Sequence, residues 1–253
     1  MLSYTERGKG PALLFLHAFP LDGTMWHPQL EHFSDRYRVI VPDITGFGAS
    51  QPPSPWTMPQ MGEQLLQLLD RLQIKSCTLV GLSMGGYVSL PFALNNPQRV
   101  ERLVLAHTRA RADTATEQAA RDSMINGLRN EGIASLPDKM LHRLLGSDAP
   151  AKVRDWVRSR IEKVSADAAI HAVAAMRNRD DQTRNLHQLH CPTLVIAGSG
   201  DAILPVTDCE EMAAAIPGGG FGLITNTGHL SNLEDPDAFN DTLDLFLRRY
   251  DSE

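Results

Sequence analysis

Cysteine is scarce in this chain of 253 residues, and its spacing excludes several classes of protein. The three cysteines, Cys77, Cys191 and Cys209, form no Cys-x-x-Cys pair, and one would be left over in any disulfide pairing. Cys77 and Cys191 each stand at the start of an apolar run, which is typical of small buried thiols. A disulfide framework is therefore not expected, and the reducing cytoplasm is the expected location.

Long apolar runs and concentrated positive charge are also missing. No stretch approaches the roughly 18 apolar residues that a membrane helix needs, and the run at residues 12–16 is too short for a signal peptide. The formal net charge is −6 at pH 7, and the arginines are scattered apart from a small cluster at Arg102, Arg109 and Arg111. Because nucleic-acid binding needs concentrated Lys and Arg, nucleic acids are not expected partners. Because no apolar run is long enough for a membrane helix, membranes are not expected partners either.

Sequence motifs for metals and cofactors are absent as well. There is no His-Glu-x-x-His and no Cys/His spacing typical of zinc sites. Neither the Gly-x-x-x-x-Gly-Lys-Ser/Thr phosphate loop nor a Gly-x-Gly-x-x-Gly after the first apolar run occurs. The sequence therefore predicts chemistry without a metal or cofactor.

The chain does contain a regular alternation of apolar runs and helical patterns. Uninterrupted apolar runs are typical of strands buried on both faces of a parallel sheet, with helices as the crossovers. The predicted strands are residues 12–16, 38–42, 77–82, 102–106, 193–197 and, more weakly, 221–224. The predicted helices are residues 58–72, 84–95, 205–216 and 236–250. Pro91 lies inside the second of these helices and is expected to kink it.

The alternation stops between residues 112 and 185. That segment contains no convincing strand and four helical patterns, at residues 117–129, 137–145, 150–164 and 167–177. It is too short and too poor in large apolar residues for an independent domain. We therefore predict an α/β fold in which residues 1–111 and 186–253 form a core, a mostly parallel sheet flanked by helices. Residues 112–185 are expected to form a helical cap, or lid, over the strand ends.

Ser83 lies in the most informative motif of the chain. An apolar run leads into Gly-Leu-Ser-Met-Gly-Gly at residues 81–86, and a helical pattern follows. Gly-x-Ser-x-Gly between a strand and a helix is typical of a nucleophile elbow, a strained turn that presents the serine hydroxyl at a sheet edge. The glycines are expected where neighbouring backbone packs closely, and the helix N-terminus favours negative charge near the serine. Taken alone, the motif also fits a glycine-rich turn with a surface serine.

A reactive serine needs a base, and the base needs an acid that orients it. Among nine histidines, His229 stands in a polar loop directly after the last predicted strand, which places it in the same layer as Ser83. The alternative is a loop histidine bonded to its own backbone. Asp201 follows the fifth apolar run directly, and the order Ser83, Asp201, His229 is a known order for such a triad.

Two other strand ends compete for the role of the acid. Asp43 follows the second strand, but its glycine-rich surroundings at residues 43–50 suggest that it only stabilises a turn. The fourth strand is followed by His107, with no carboxylate before Asp113. Asp201 is therefore the preferred acid.

The tetrahedral intermediate of acyl transfer also requires two N–H donors. The backbone N–H of Met84, directly after the serine, is one predicted donor, and that of Phe19, in the loop after the first strand, is the other. Core packing is the more usual role of large apolar side chains, but some are expected to line a substrate pocket. The candidates are Trp26, Trp156, Leu204 and Leu230.

At this point the chain resembles the α/β-hydrolase superfamily over nearly its whole length. The matching segments are residues 17–20, 43–50, 81–86, 97–105, 198–201 and 228–229. The resemblance implies Ser83 as nucleophile, Asp201 as acid and His229 as base. Within the superfamily the chain is similar to small bacterial esterases, 3-oxoadipate enol-lactonases and cofactor-free haloperoxidase-like perhydrolases, particularly at residues 228–234.

Two residues depart from the family pattern. Ala18 stands where the oxyanion loop of the family usually has glycine, which adds strain if that position requires a positive φ. Pro91 is unusual in the helix after the elbow and has no functional explanation. Serine at position 83, rather than aspartate, argues against the related haloalkane dehalogenases and epoxide hydrolases.

The leading hypothesis is hydrolysis of small, largely apolar carboxylic esters or lactones through an acyl-enzyme on Ser83. Alternatives at the same triad are the 3-oxoadipate enol-lactonase reaction, perhydrolysis and C–C bond hydrolysis. An enol-lactone of this kind is acidic, so a cationic group is expected near it, and Arg109 and Arg111 are candidates. An alternative from another class is a signalling protein that senses a small molecule and retains the triad.

Overall fold

The computed structural model of the chain describes residues 2–50 and 54–250. Residues 51–53 lie outside the described part, as do residues 1 and 251–253, which the sequence assigns to the ends of the core. The described strands are β1 (Tyr4–Arg7), β2 (Ala12–Leu16), β3 (Arg38–Pro42), β4 (Cys77–Leu82), β5 (Val100–Ala106), β6 (Thr193–Gly198) and β7 (Gly220–Ile224). They form one sheet in the order β1-β3-β2-β4-β5-β6-β7.

The sheet is parallel except at β1, which pairs antiparallel with β3. The apolar runs account for the central strands, since β4 and β6 are buried at every position. All six predicted strands are confirmed. The sequence pattern does not predict β1, because an edge strand with mostly exposed side chains has no apolar run.

Helices cover both the predicted crossovers and the segment between β5 and β6. They are α1 (His27–Phe33), α2 (Met58–Arg71), α3 (Met84–Asn95), α4 (Ala115–Glu131), α5 (Leu136–Leu144), α6 (Ala151–Ile161), α7 (Ala166–Arg177), α8 (Val206–Ala215), α9 (Ser231–Glu234) and α10 (Pro236–Tyr250). Every predicted helix is confirmed to within three residues at each end, and α3 continues through Pro91 to Asn95. None of the described helices has both the length and the apolar composition needed to cross a lipid bilayer.

Local signals explain where several of these helices begin. Thr57 and Thr114 each cap a helix with a capping box, in which the side chain of the third helical residue reaches back to the backbone of the cap. In α4 that third residue is Glu117, which also binds arginines described below. The helices α4 to α7 (hereafter the cap) lie between β5 and β6 along the chain, and α4 packs on α7 while α5 packs on α6.

The cysteines are free thiols. Cys77 and Cys209 are buried, and burial raises the pKa of each thiol to about 12. Cys191 is half-buried, and burial raises its pKa too. The prediction of buried thiols is thus confirmed for Cys77 and only in part for Cys191.

The start of α3 packs directly against the neighbouring strands, which explains the glycines of the elbow. A Cβ on Gly85 would lie 2.2 Å from the carbonyl oxygen of Leu16, at the end of β2. A Cβ on Gly86 would lie 2.5 Å from the side chain of Thr108, just after β5. The close approach predicted from the sequence is therefore present, and it brings the loops after β2 and β5 to the elbow.

Replacing Gly85 by alanine tests this packing. We expect Gly85→Ala to lower the free energy of unfolding by about 3 kcal/mol, because the new methyl group meets backbone that cannot move aside. Gly127→Ala is the matched control. Its nearest atom would be the flexible Lys139 side chain at 3.8 Å, so we expect a gain of about 0.5–1 kcal/mol from helix propensity. Urea unfolding measures both, and equal stabilities of the two variants would contradict the packing.

Candidate active site

Ser83 occupies a strained turn between β4 and α3. Its backbone has φ 55° and ψ −112°, a conformation that non-glycine residues rarely adopt. The Ser83 N–H donates to the Ala106 carbonyl at 2.9 Å, and the Thr108 hydroxyl donates to the Ser83 carbonyl at 3.0 Å. The turn is thus held by the neighbouring strand β5 and its following loop, as a nucleophile elbow requires.

Asp201 follows β6 and lies almost completely out of solvent, with its side chain 2% exposed. One carboxylate oxygen, Oδ1, accepts hydrogen bonds from the backbone N–H groups of Ile203 and Leu204 at 2.8 and 3.0 Å. The other, Oδ2, accepts from Nδ1 of His229 at 2.7 Å. The ring of His229 is therefore bonded to Asp201, and the alternative of a histidine bonded to its own backbone is excluded.

Asp43 is committed to its own turn. Its Oδ1 accepts from the Gly23 N–H at 2.8 Å and its Oδ2 from the Ala49 N–H at 2.9 Å. Because both oxygens hold loop backbone, the turn-stabilising alternative is the one that the structure shows.

The loop that carries His229 is fixed to the cap. The His229 N–H donates to the carbonyl of Leu144, the last residue of α5, at 3.1 Å. The Glu234 carboxylate accepts from the N–H groups of both Gly228 and Gly146, at 3.0 and 2.8 Å. Burial raises the pKa of Glu234, while these backbone donors oppose the shift. The position of the predicted base thus depends on contacts with the cap.

The structure brings Asp201 and His229 together but does not yet join Ser83 to them. No hydrogen bond connects the Ser83 hydroxyl to His229 within the described part of the chain. The elbow lies at the end of β4, and the two partners follow β6 and β7 at the same edge of the sheet. In unliganded enzymes such hydrogen bonds are often long and shorten only when substrate binds.

His107 is a member of the site that the sequence analysis missed. It directly follows β5, has φ 48° and is completely buried. Its Nδ1 lies 3.0 Å from Asp201 Oδ2, the same oxygen that binds His229, and its Nε2 lies 2.6 Å from the Ser231 hydroxyl. The two imidazole rings meet edge to face with centroids 5.5 Å apart. Its position directly after a strand is the signal that the sequence contains, because the ends of parallel strands meet at one edge of the sheet.

The hydrogen-bond partners determine the protonation of this cluster. An ionised carboxylate only accepts, so Nδ1 of each histidine carries the hydrogen. Burial lowers the pKa of His107, although its hydrogen bond to Asp201 opposes the shift. His107 is therefore neutral, and Nε2 accepts the hydrogen of the Ser231 hydroxyl. Burial alone would raise the pKa of Asp201, but the two histidines outweigh it and hold the pKa well below its ordinary value.

The same three side chains are close enough to be considered as metal ligands. Their ligand atoms lie within 4.8 Å of one another in the described part of the chain. Nδ1 of each histidine is already hydrogen-bonded to Asp201 Oδ2. The arrangement thus fits an acid that holds two imidazole rings by hydrogen bonds.

Comparison with known proteins identifies the family of the chain. The family model for the alpha/beta hydrolase fold matches residues 11–236. The chain belongs to this family. It is 29% identical to 3-oxoadipate enol-lactonase 2 of Acinetobacter baylyi, over 98% of this chain and 94% of the relative.

Two solved structures are similar over nearly their whole length. A thermophilic esterase from Thermogutta terrifontis is 37% identical, with a TM-score of 0.95, covering 98% of this chain and 93% of the other. The enol-lactonase from Burkholderia xenovorans LB400 is 28% identical, with a TM-score of 0.90, covering 98% and 96%.

The loop of this alpha/beta hydrolase that the sequence predicts to form the oxyanion hole follows β2, beside the elbow. Ala18 is not among the described residues with positive φ, so the strain considered for this position is absent. The His17 ring supports the loop, since Nδ1 donates to the Ala18 carbonyl at 3.0 Å and Nε2 accepts from the Ile44 N–H at 2.9 Å. Met84 is the first residue of α3, so its N–H has no partner within the helix. The roles of Phe19 and Met84 as donors stay predictions.

The candidate pocket residues have different environments. Trp26 is fully buried and packs on the rings of Phe15 and Phe239, at 4.8 and 5.7 Å between centroids, so it forms part of the core, and its contact with a substrate stays a prediction. Leu204 and Leu230 are also buried, and their contact with a substrate stays a prediction. Trp156 lines a cavity, but none of the triad residues lines it.

The arginines considered for an acidic substrate already have partners. Arg109 and Arg111 both bind the Glu117 carboxylate, each with one N–O distance of 2.7 Å. Asp208 lies a further 3.7 and 3.6 Å from the same two side chains. The hydrogen bond from Arg111, aided by Arg109, holds the pKa of Glu117 far below its ordinary value. These cations are therefore neutralised within the protein.

The buried histidines predict a pH dependence of stability. Burial lowers the pKa of both His17 and His107 from the ordinary 6.5, so the unfolded chain takes up protons before the native state does. The free energy of unfolding should therefore decrease below pH 6.5 by up to about 1.4 kcal/mol per pH unit for each histidine. In His107→Asn, in which asparagine tolerates the positive φ, this slope should be smaller by up to one such contribution.

Urea unfolding between pH 7.5 and 5 measures the slope. The control is His187→Asn, which removes an exposed histidine and should leave the slope as it is in the parent protein. A His107→Asn slope equal to that of the control would contradict a neutral, buried His107.

Proposed function

We propose that this chain is a serine hydrolase of small, neutral carboxylic esters or lactones. Ser83 is the nucleophile, His229 the general base, and Asp201 the acid that orients it. The observation that carries the proposal is the 2.7 Å hydrogen bond between His229 and Asp201, at the sheet edge where the strained Ser83 turn also lies.

The reaction would begin with the attack of Ser83 Oγ on the ester carbonyl. His229 uses Nε2 as the base, because Nδ1 already carries its hydrogen toward Asp201. The N–H groups of Phe19 and Met84 would bind the oxyanion of the tetrahedral intermediate. Collapse of that intermediate breaks the C–O bond, and the imidazolium gives its proton to the leaving alkoxide. Water, deprotonated by His229, then releases the acid from Ser83; with a lactone, the alcohol stays attached to the acyl group.

The charge of Asp201 supports the imidazolium that forms during this reaction. Its low pKa keeps the Asp201 carboxylate ionised across the neutral pH range. His107 donates a hydrogen bond to the same oxygen without bringing a full charge. The acid thus stays fixed in position and negatively charged.

Two kinds of support favour an ester or lactone over other substrates. The similar structures include a protein described as an esterase and one described as an enol-lactonase. Arg109 and Arg111 already pair with the Glu117 carboxylate, so their positive charges are compensated within the protein and attract an acidic enol-lactone less strongly. A neutral substrate is therefore preferred to the acidic one.

Ser83→Ala tests the nucleophile. We expect kcat for 4-nitrophenyl butyrate to fall by a factor on the order of 10⁴–10⁶, because the acyl-enzyme cannot form. The control is Ser123→Ala on the exposed face of α4, which should keep full activity. If Ser83→Ala hydrolyses the ester as fast as the parent, the proposal is wrong. If the parent itself binds small esters without turning them over, the signalling alternative gains support.

Arg111→Gln tests the preference for neutral substrates. Because the guanidinium already binds Glu117, we expect the ratio of kcat/KM for mono-4-nitrophenyl succinate and 4-nitrophenyl butyrate to change by less than about twofold. Arg177→Gln is the control, since it removes another paired arginine from the cap. A loss of about tenfold or more, equal to about 1.4 kcal/mol and confined to the succinate ester of Arg111→Gln, would place this arginine at the substrate.

A further inference from the structure

A cavity of about 660 Å³ lies between the cap helix α6 and the core. Its core side is formed by the turn and helix that follow the oxyanion loop, by the β1–β3 edge and by the segment at Leu233 and Pro236. The volume falls in the range of about 300–1,000 Å³ that small-molecule sites occupy. None of the proposed catalytic residues or oxyanion donors lines it.

The walls of the cavity are mainly apolar. Leu30 and Val41 are buried on the core side, and Val153 and Trp156 are half-buried on α6. Such walls favour an apolar body, and the indole offers a flat face to it.

The ionisable residues that line the cavity are lysine, arginine and histidine, and no carboxylate among the described residues lines it. Lys152 stands exposed at the rim, and the Arg160 guanidinium lies 5.2 Å from the centre of the Trp156 ring. Arg160 Nε is buried and has no hydrogen-bond partner among the described residues. Neither side chain forms an ion pair within the described part of the chain, whereas Arg158 of the same helix binds Asp138 at 2.6 Å.

We propose that this cavity is a second binding site, for a small amphipathic carboxylate with an aliphatic or aromatic body. The carboxylate would accept charge-assisted hydrogen bonds from Arg160 and Lys152, and the body would pack on Trp156, Leu30 and Val41. Arginine suits this role because its planar donors match a carboxylate. The assignment needs no chemistry at Ser83 and so stands apart from the proposed hydrolase activity.

Isothermal titration calorimetry of octanoate into the full chain tests the site. We expect binding by the parent protein and by Arg158→Gln, which removes one positive charge from the same helix outside the cavity. Arg160→Gln and Trp156→Ala should each weaken binding at least tenfold, the first by loss of the charge-assisted bonds and the second by loss of the apolar wall. Octan-1-ol, which lacks the charge, should bind at least tenfold more weakly than octanoate.

Three outcomes would overturn the assignment. They are absence of octanoate binding to the parent protein, equal binding by Arg160→Gln, and equal loss in Arg158→Gln. Equal binding by Arg160→Gln would also be the result if octanoate bound only near Ser83. If Arg160→Gln does not fold, as judged by its thermal unfolding, Lys152→Gln takes its place with the same expected direction.

Discussion

The buried carboxylate of Asp201 is the constraint on which the site depends. An ionised carboxylate removed from water is stable only if hydrogen-bond donors replace its hydration. Four N–H groups do so here, from Ile203, Leu204, His107 and His229. They come from the loop of Asp201 itself and from the ends of two other strands, β5 and β7. The buried charge of this one side chain thus requires the ends of three strands to lie close together. The site therefore forms only when this edge of the sheet is folded.

His107 closes a circuit of hydrogen bonds around Asp201 and His229. Asp201 binds both imidazoles, His107 binds the hydroxyl of Ser231, and Ser231 is two residues from His229 along the chain. Each ring is therefore held at one nitrogen by the acid, and the backbone that follows His229 is held through His107. A triad drawn as three residues omits this second support. The physical benefit is that His229 is oriented by its own hydrogen bond and also by the position of the helix that begins after it.

The sequence predicts the parts of the molecule that rest on local patterns and strand-end topology. The apolar runs, the elbow glycines and the strand-end positions of Asp201 and His229 follow from periodicity and from the geometry of parallel sheets. The edge strand β1 does not, because its pairing with β3 is a tertiary contact without an apolar run. The role of His107 and the pairing of Arg109 and Arg111 with Glu117 depend on which side chains meet across distant segments. The core packing of Trp26 depends on distant contacts in the same way, since the sequence pattern does not tell a buried indole in the core from one that lines a cavity.

Two neighbouring helices of the cap contact the core in different ways: α5 is hydrogen-bonded to it, whereas α6 faces it across a cavity. The difference affects both proposed sites. The end of α5 is bonded directly to the loop of the base, through Leu144 with His229 and through Gly146 with Glu234. A displacement of α5 would therefore act directly on His229, the proposed base. The next helix, α6, faces the core across the cavity, with Arg160 and Lys152 unpaired among the described residues. A carboxylate bound there would add contacts between α6 and the core, and since α5 packs on α6, it would hold in place the helix that positions His229.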